Sequence, residues 1–514
     1  MSRSPEQERP HSGQDAERQD AEREDGERQA EVVDSIGRKA GRGLGWSLLG
    51  TLATKIGSFA MGLVLARLLA PEDFGLYAIA LAATQFVMHI NDAGIIAATV
   101  QWRGKLEDMA PTAAVLAVSF SAAVYGVFWV IAPSFARLAG NEEATPVVRL
   151  LTAIILVDGV TAVRSAALLR RFEQDKLTKA IVVGFVANAA LAIPLAADGA
   201  GAYSFAVGQV AASVVTGVLV FLSARLPVRF AMDREIAGRL LRFGLPLAGS
   251  LGIESVLVNA DYVIVGDALG PVALGYYLIA FNVSSWVPGL VGTAVRYVSV
   301  AGFSRLAEND PESLELGVRR SVPLLLAAVL PAAVLMCTLA HEIVVFLYGQ
   351  KWAPAAEVLR FLAVLMVVRM FTSFAFDILT SVGATKWTVW VNLGWVALLV
   401  PALLVGTRMA GIRGTAIGHS VVALLVALPL AALALHRSGV RLRPMLPGLV
   451  RPLGGAVLAT LVVIVISAAT APLTGGLPVA ELSVAGGAGL LVYALVVVPG
   501  SLLRKLGSRV VQSI

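Results

Sequence analysis

Charged and polar side chains set inside long apolar runs are the residues of this sequence with chemistry to offer. Thr51, Lys55, Ser58 and Gly62 step by 4, 3 and 4 through one such run, and residues three or four apart share one face of a helix. Ser250, Glu254, Leu257 and Asp261 take the same steps through another run. Gln85, His89, Asp92, Ile96 and Thr99 form a second kind of stripe. Ser285, Gly289, Gly292, Arg296 and Ser299 repeat its register, and Asn282 extends it. A charge at the centre of a bilayer costs about 3 kcal/mol on insertion scales, so each such group must face a watery cavity or a partner. A cation there offers a contact for an anion, and a carboxylate or imidazole offers a seat for a proton or cation.

The stripes recur because the sequence recurs. Leu69, Pro71, Gly75, Tyr77, Ile79 and Ala80 are answered by Leu269, Pro271, Gly275, Tyr277, Ile279 and Ala280, an offset of 200 at every position. Gly45, Leu48, Gly50 and Leu52 are answered by Gly244, Leu247, Gly249 and Leu251 at an offset of 199. A repeat of this length fixes architecture before any local reading does. It sets Lys55 against Glu254, Arg67 against Asp267, and Ile96 against Arg296. Lys55 and Glu254 are either a buried ion pair joining the two halves or groups that meet a ligand, and the two roles can alternate. Arg67 and Asp267, near the outer ends of their runs, form an outer gate or reach to the surface. His89 and Asp92, one turn apart, hold a coupling proton or cation or are a polar pair between helices. Asp158 and Arg164 in one run, and Arg360, Arg369 and Asp377 in another, are expected to find partners inside the protein.

The elements that must position these groups are transmembrane helices. The 514 residues are 57% hydrophobic and 15% charged, against roughly a quarter charged in soluble domains. The apolar residues fall in runs of about twenty or more, the length that crosses a hydrocarbon layer about 30 Å thick. Inside lipid every backbone group must be paired, and these runs lack strand-like alternation, so they are helices. The expected fold is an all-α polytopic membrane protein of fourteen spans, made of two six-helix parallel repeats plus two appended helices. The boundaries are a disordered tail at 1–43, a first lobe at 44–222, a linker at 223–243, a second lobe at 244–435, a loop at 436–450, and the appended pair with a short tail at 451–514. Spans 7 and 8 are read as 244–269 and 275–300, and spans 11 and 12 as 386–407 and 412–435. No cleavable signal peptide is expected ahead of the first apolar run. Loops of one set hold 25 Lys and Arg and those of the other set only Arg137, Lys351, Arg408 and Arg413. The positive-inside rule then places both termini in the cytoplasm. Distributed in this way, the net charge of +6 is no nucleic-acid signal. The single cysteine, Cys337, excludes disulfides and thiolate metal sites, and no cofactor is called for.

The stretch Arg67-Leu-Leu-Ala-Pro-Glu-Asp-Phe-Gly-Leu-Tyr77, following a span that contains Lys55, resembles the polysaccharide-export branch of the multidrug/oligosaccharidyl-lipid/polysaccharide exporter superfamily. More narrowly, residues from about 40 to 505 look like a bacterial flippase of the Wzx type for lipopolysaccharide or exopolysaccharide. That resemblance implies alternating access between two lobes in the bacterial cell membrane. It implies an oligosaccharide on a polyprenyl pyrophosphate as substrate, with membrane lipid and glycan-assembly proteins as partners, and a chain that works as a monomer. The stripes suit this cargo, since a pyrophosphate cannot cross lipid alone and cations in a low-dielectric cleft match it. Lys55 and Arg296 are the expected contacts, with Arg67 and Asn282 beside them. Glu254, Asp261, Asp92, His89 and Asp267 are the expected coupling or gating groups. The appended helices offer the lipid tail an apolar route.

Two other functions fit less of the sequence. A drug or small-cation exporter of the same superfamily would prefer acidic walls to cationic ones. A membrane glycan polymerase or ligase would need catalytic groups on large outer loops. The outer loops here are short and hold no acid/base, Ser-His or metal constellation, so the chain reads as a transporter and not an enzyme.

Overall fold

The computed structural model describes residues 45–91, 99, 106–309, 311–474 and 477–498, and their side chains except at 243, 245–254, 256, 287, 288, 290–315, 471, 473 and 474. The expected tail at 1–43 lies outside the described residues. Among those described there is no strand. The first group of helices is α1 (Gly45–Leu68), α2 (Pro71–Asn91), α3 (Leu106–Leu138), α4 (Thr145–Thr152), α5 (Ile154–Arg170), α6 (Gln174–Ala197) and α7 (Tyr203–Ser223). The second is α8 (Arg234–Asn309), α9 (Pro311–Thr338), α10 (Ala340–Tyr348), α11 (Ala355–Ser381), α12 (Lys386–Val422) and α13 (Leu428–Arg437). Then come α14 (Leu446–Thr474), α15 (Pro478–Glu481) and α16 (Gly487–Val497).

The protein is a multi-pass membrane protein. Among the described residues, twelve helical segments are long and apolar enough to cross a membrane. Two of these cover stretches that the sequence reading divides further. α8 breaks at Gly270, whose φ of 81° is a conformation that only glycine adopts without strain. α12 breaks at Ala410 and Gly411, the latter at φ 58°. Each is two helices joined at a turn.

The repeated motif is helix punctuation. Pro71 opens α2, where its missing N–H costs nothing, and Glu72 and Asp73 lie in the first turn. The Asp73 carboxylate accepts from the Ala70 N–H at 2.9 Å. In the second copy Gly270 makes the turn ahead of Pro271. The two copies lie against each other. A Cβ on Gly75 would overlap the Pro271 carbonyl, and one on Gly275 would overlap the Pro71 carbonyl. Two backbones therefore touch where any side chain would hold them apart.

A second contact at this end joins the groups. The Trp352 indole, fully buried, donates to the Ala66 carbonyl at 2.9 Å, and the Lys351 ammonium donates to the Leu69 carbonyl at 2.8 Å. The Ala66 carbonyl lies in the last turn of α1, where carbonyls have no partner within the helix, and the Leu69 carbonyl follows its end. Burial pulls the Lys351 ammonium below the ordinary lysine range, with Arg67 adding to the effect and Asp73 opposing it. Trp352 also meets Phe74 edge to face, with ring centroids 4.9 Å apart.

Within the first group α6 packs on α7, α3 on α5 and α2 on α4. Within the second, α11 and α12 pack on α8 and on each other. α14 and α16 pair together, and α14 lies along α9. The Tyr493 hydroxyl fixes that arrangement by donating to the Ala327 carbonyl at 3.1 Å. Val457, Leu461, Ile464 and Val465 leave α14 with an exposed apolar face.

Candidate functional site

Between the two groups lies a cavity of about 640 Å³. α1 contributes Thr54, Lys55, Ser58 and Gly62. α2 adds Tyr77, α6 Asn188 and α7 Gln209, while the part of α8 after its break adds Asn282, Ser285 and Trp286. The α1 stripe is placed on this wall by helical spacing alone. Across the cavity, a Cβ on Gly289 would come within 3.1 Å of the Lys55 ammonium. Lys55 is exposed into this space and, among the described residues, makes no ion pair. No described lining residue is a carboxylate. Phe59 and Trp286 meet edge to face from opposite sides.

A second chamber, of about 440 Å³, opens beside it within the first group. The two share Thr54, Ser58 and Asn188 in their walls. Asp158 lines this chamber and accepts from the Asn91 side chain at 2.9 Å. Asn91 in turn accepts from the Ser121 hydroxyl at 2.6 Å. Arg164 is placed elsewhere, donating to the Leu226 carbonyl at 3.1 Å with its guanidinium over the Phe221 ring. Each thus has a partner inside the protein, Asp158 in the amide of another helix and Arg164 in a loop carbonyl.

The remaining sequence-selected residues divide. Lys55 and Asn282 line the main cavity. Arg67 and Asp267 are both exposed and are not joined to each other, and Arg67 reaches the Leu347 carbonyl at 3.5 Å. His89 is half-buried and its Nδ1 lies 2.6 Å from the Gln85 carbonyl of its own helix. Asp92 lies outside the described residues, as do the side chains of Glu254 and Arg296.

Asp261 departs from its stripe. It is 1% exposed and turned into the second group, away from the cavity. Its carboxylate accepts from the Tyr277 hydroxyl at 2.8 Å and from the Tyr262 N–H at 3.0 Å. His419 of α12 brings Nδ1 to 3.5 Å from the same carboxylate. Helical spacing puts Asp261 on the α1-like stripe, and these partners from other turns and helices draw it off the cavity wall. Sequence reasoning missed His419, and it also missed Asn188 and Gln209. None of them falls on a stripe, and each is a lone polar residue in an apolar helix.

The model of a family described as polysaccharide biosynthesis protein matches residues 64–357. The succinoglycan biosynthesis transport protein ExoT of Rhizobium meliloti (strain 1021) is 28% identical over 324 residues. That match covers 63% of this chain, and the chain spans 65% of the length of that relative. The teichuronic acid biosynthesis protein TuaB of Bacillus subtilis (strain 168) is 21% identical over 341 residues, 65% of this chain and 70% of that one. Among solved structures, the inward closed conformation of the lipid II flippase MurJ superposes with a TM-score of 0.71 at 12% identity, covering 88% of this chain and 97% of that chain. An inward-facing multidrug resistance MATE family transporter of the MOP superfamily superposes with a TM-score of 0.58 at 17% identity, covering 76% and 99%. These two likenesses are of fold.

Proposed function

This chain belongs to the polysaccharide biosynthesis protein family, and we propose that it moves an oligosaccharide linked to polyprenyl pyrophosphate across the bacterial cytoplasmic membrane. The observation that carries this reading is the cavity between the two groups, with a single exposed lysine and no carboxylate among its described walls. A pyrophosphate brought into low dielectric needs a cation, and an ammonium provides one as a point charge. Asn188, Gln209, Asn282, Ser58 and Ser285 match the hydroxyls of a sugar chain. Trp286 offers an aromatic surface to its apolar sides. The exposed face of α14 suits a polyprenyl tail that stays in lipid while the head group crosses. ExoT and TuaB, named for succinoglycan and teichuronic acid synthesis, and MurJ, named for lipid II, fit this class of cargo. A drug exporter of the same fold would want acidic walls for cationic drugs.

With the termini placed inside by the loop charges, the end where the two motifs interlock faces outward. The Gly75–Pro271 and Gly275–Pro71 contacts and the Trp352 clasp then close the outer side. Transport requires them to separate as the inner side closes.

The test is translocation of a lipid-linked oligosaccharide in proteoliposomes. Lys55→Ala should lower the rate about tenfold or more, the loss of one charge-assisted contact, with membrane insertion intact. Lys55→Arg should retain most of it. Arg296→Ala should behave like Lys55→Ala. Exchanging Lys55 and Glu254 should leave transport lost if Lys55 meets the ligand, and restored transport would reduce it to a structural partner. Unchanged transport in both alanine variants would remove this anion site.

A further inference from the structure

The side chamber of the first group differs in charge from the main cavity it adjoins. The main cavity has Lys55 and no carboxylate among its described walls, whereas the side chamber has Asp158 and no lysine or arginine among its own. Its volume of about 440 Å³ falls in the range of about 300 to 1,000 Å³ where small-molecule sites lie. The walls are rich in acceptors. The Thr54, Thr161 and Thr216 hydroxyls donate to the carbonyls of Gly50, Val157 and Ala180 at 2.8, 3.0 and 3.3 Å. With each hydrogen spent on backbone, an oxygen lone pair is what remains to meet a ligand. Asn188 of α6, in the wall shared by both spaces, is 8% exposed, and its Oδ1 accepts no hydrogen bond. A buried acceptor left unmet is unfavourable. The last torsion of an asparagine is soft, so this oxygen can turn to a donor brought in on either side.

The Asp158 carboxylate is held by a buried relay. It accepts from Asn91 at 2.9 Å, and Asn91 accepts from the Ser121 hydroxyl at 2.6 Å. Asn91 and Ser121 are both buried. The acid is particular to this group. Val147, Arg149, Leu151, Val157, Thr161 and Leu168 are answered by Val358, Arg360, Leu362, Val368, Thr372 and Leu379, an offset of 211. That register sets Asp158 against Arg369 of α11, whose guanidinium lies 5.8 Å from the Phe281 ring centroid. The same place in the two groups carries opposite charge.

We propose that the side chamber is a specificity site that seats an uncharged sugar residue of the cargo through its hydroxyl hydrogens and turns away an acidic one. Thr54 lies next to Lys55 on α1 and Ser58 one turn on, and both line the two spaces. The seated sugar is therefore one close to the pyrophosphate. A pyranose carries several hydroxyls that donate, and acceptor-rich walls match them. A uronic acid brings a carboxylate against Asp158. Like charges in a low dielectric repel, and the chamber offers the newcomer no cation in its described walls. The inference rests on the flippase reading above and names the class of sugar that its cargo carries beside the pyrophosphate.

The test is equilibrium binding to the purified full chain in nanodiscs. The probes are polyprenyl pyrophosphate, the same lipid bearing one glucose, and the same lipid bearing one glucuronic acid. Glucose should tighten binding about tenfold over the bare lipid, and glucuronic acid should forfeit that gain. Asp158→Asn removes the charge and keeps the shape, so it should bring the two glycolipids to within about twofold of each other. Ser213→Leu, which fills the chamber from α7, should erase the gain from glucose. Lys55→Ala should weaken all three lipids together and leave their ratios. Equal binding of the two glycolipids by the parent, or a preference that Asp158→Asn leaves unchanged, overturns the proposal. Should Asp158→Asn fail to fold, Ser213→Leu decides, and a gain from glucose that survives it overturns the proposal. A parent that binds the bare lipid and gains nothing from glucose fails on the chamber alone. A parent that does not bind the bare lipid fails on the flippase reading, and the chamber falls with it.

Discussion

Tyr77 and Tyr277 occupy one place in two copies of one motif, and their surroundings diverge. Around Tyr77 the partner is Gln209, and both line the cavity, as does Gly62. Around Tyr277 the partners are Asp261 and His419, and all three are buried. An uncharged polar group can stand at a water-filled wall and exchange partners with a sugar. A carboxylate held beside a histidine with no water is expensive unless it is hydrogen-bonded, so it is drawn inward and packed over. The comparison teaches that two positions answering each other in the repeated sequence differ in setting where one side chain is absent at Gly62 and present at Asp261.

The largest effect should come from removing that side chain. Asp261→Ala leaves the Tyr277 hydroxyl, the Tyr262 N–H and His419 without their acceptor. Breaking a buried charged group costs about 3 kcal/mol or more. The apparent melting temperature in detergent should fall by several degrees. Gly62→Asp makes the reverse change. Nothing lies within 4 Å of a Cβ at Gly62, so this variant should fold. Its carboxylate would face the cavity on the same stripe as Lys55 and cancel part of the attraction for an anion, with transport lowered about tenfold, the equivalent of about 1.4 kcal/mol. Normal transport in Gly62→Asp would deny that this wall meets anionic cargo.

Next come the glycines through which the two copies touch. Gly75→Leu and Gly275→Leu each drive a side chain into a backbone carbonyl that cannot turn away. Either should separate the groups at this end, read as lost cross-linking between Cys residues placed at Glu72 and Val272. The contacts are reciprocal, so the two losses should be alike. One variant tolerated and the other not would show that the motifs do not share the seal equally.

Smaller effects separate the two tyrosines. Tyr277→Phe removes a hydrogen bond to a charged acceptor, about 2 kcal/mol. Tyr77→Phe removes one between neutral groups in a membrane, about 0.6 kcal/mol. Equal stability losses in detergent melts would mean that Asp261 carries no charge in its buried setting.

These contrasts also measure what the sequence could reveal. Helical spacing placed Lys55, Ser58 and Gly62 on the cavity wall, and the repeat carried Asn282 and Ser285 to the opposite side. Those inferences rest on local geometry, which a sequence states directly. The same spacing misplaced Asp261, because its orientation is set by Tyr277 and by a histidine in a distant helix. Gln209 and His419 answer each other at 210 rather than 200, since added loop length lies between motif and partner. A search at the offset of the motif passes over them. Asp158 and Arg164 were legible as charges that need partners inside the protein, but the partners, an amide of α2 and a carbonyl after α7, lie on other elements and carry no charge to mark them.

Gln209→His is the smallest and most discriminating change, because it gives the first group the ring of the second without its carboxylate. The new imidazole would sit at the cavity wall beside Tyr77, half-exposed like Gln209 itself. Water would hold its titration near the ordinary value of about 6.5. Below that pH it adds a positive charge to a wall that already carries Lys55, so anionic lipid should bind more tightly as pH falls and no differently above it. Screening by water limits the gain to about 0.5 kcal/mol, roughly twofold in affinity. Equilibrium binding of a polyprenyl pyrophosphate at several pH values reads this directly. Binding that does not strengthen below that pH, or that strengthens equally on both sides of it, would show that the anion does not meet this wall beside Tyr77.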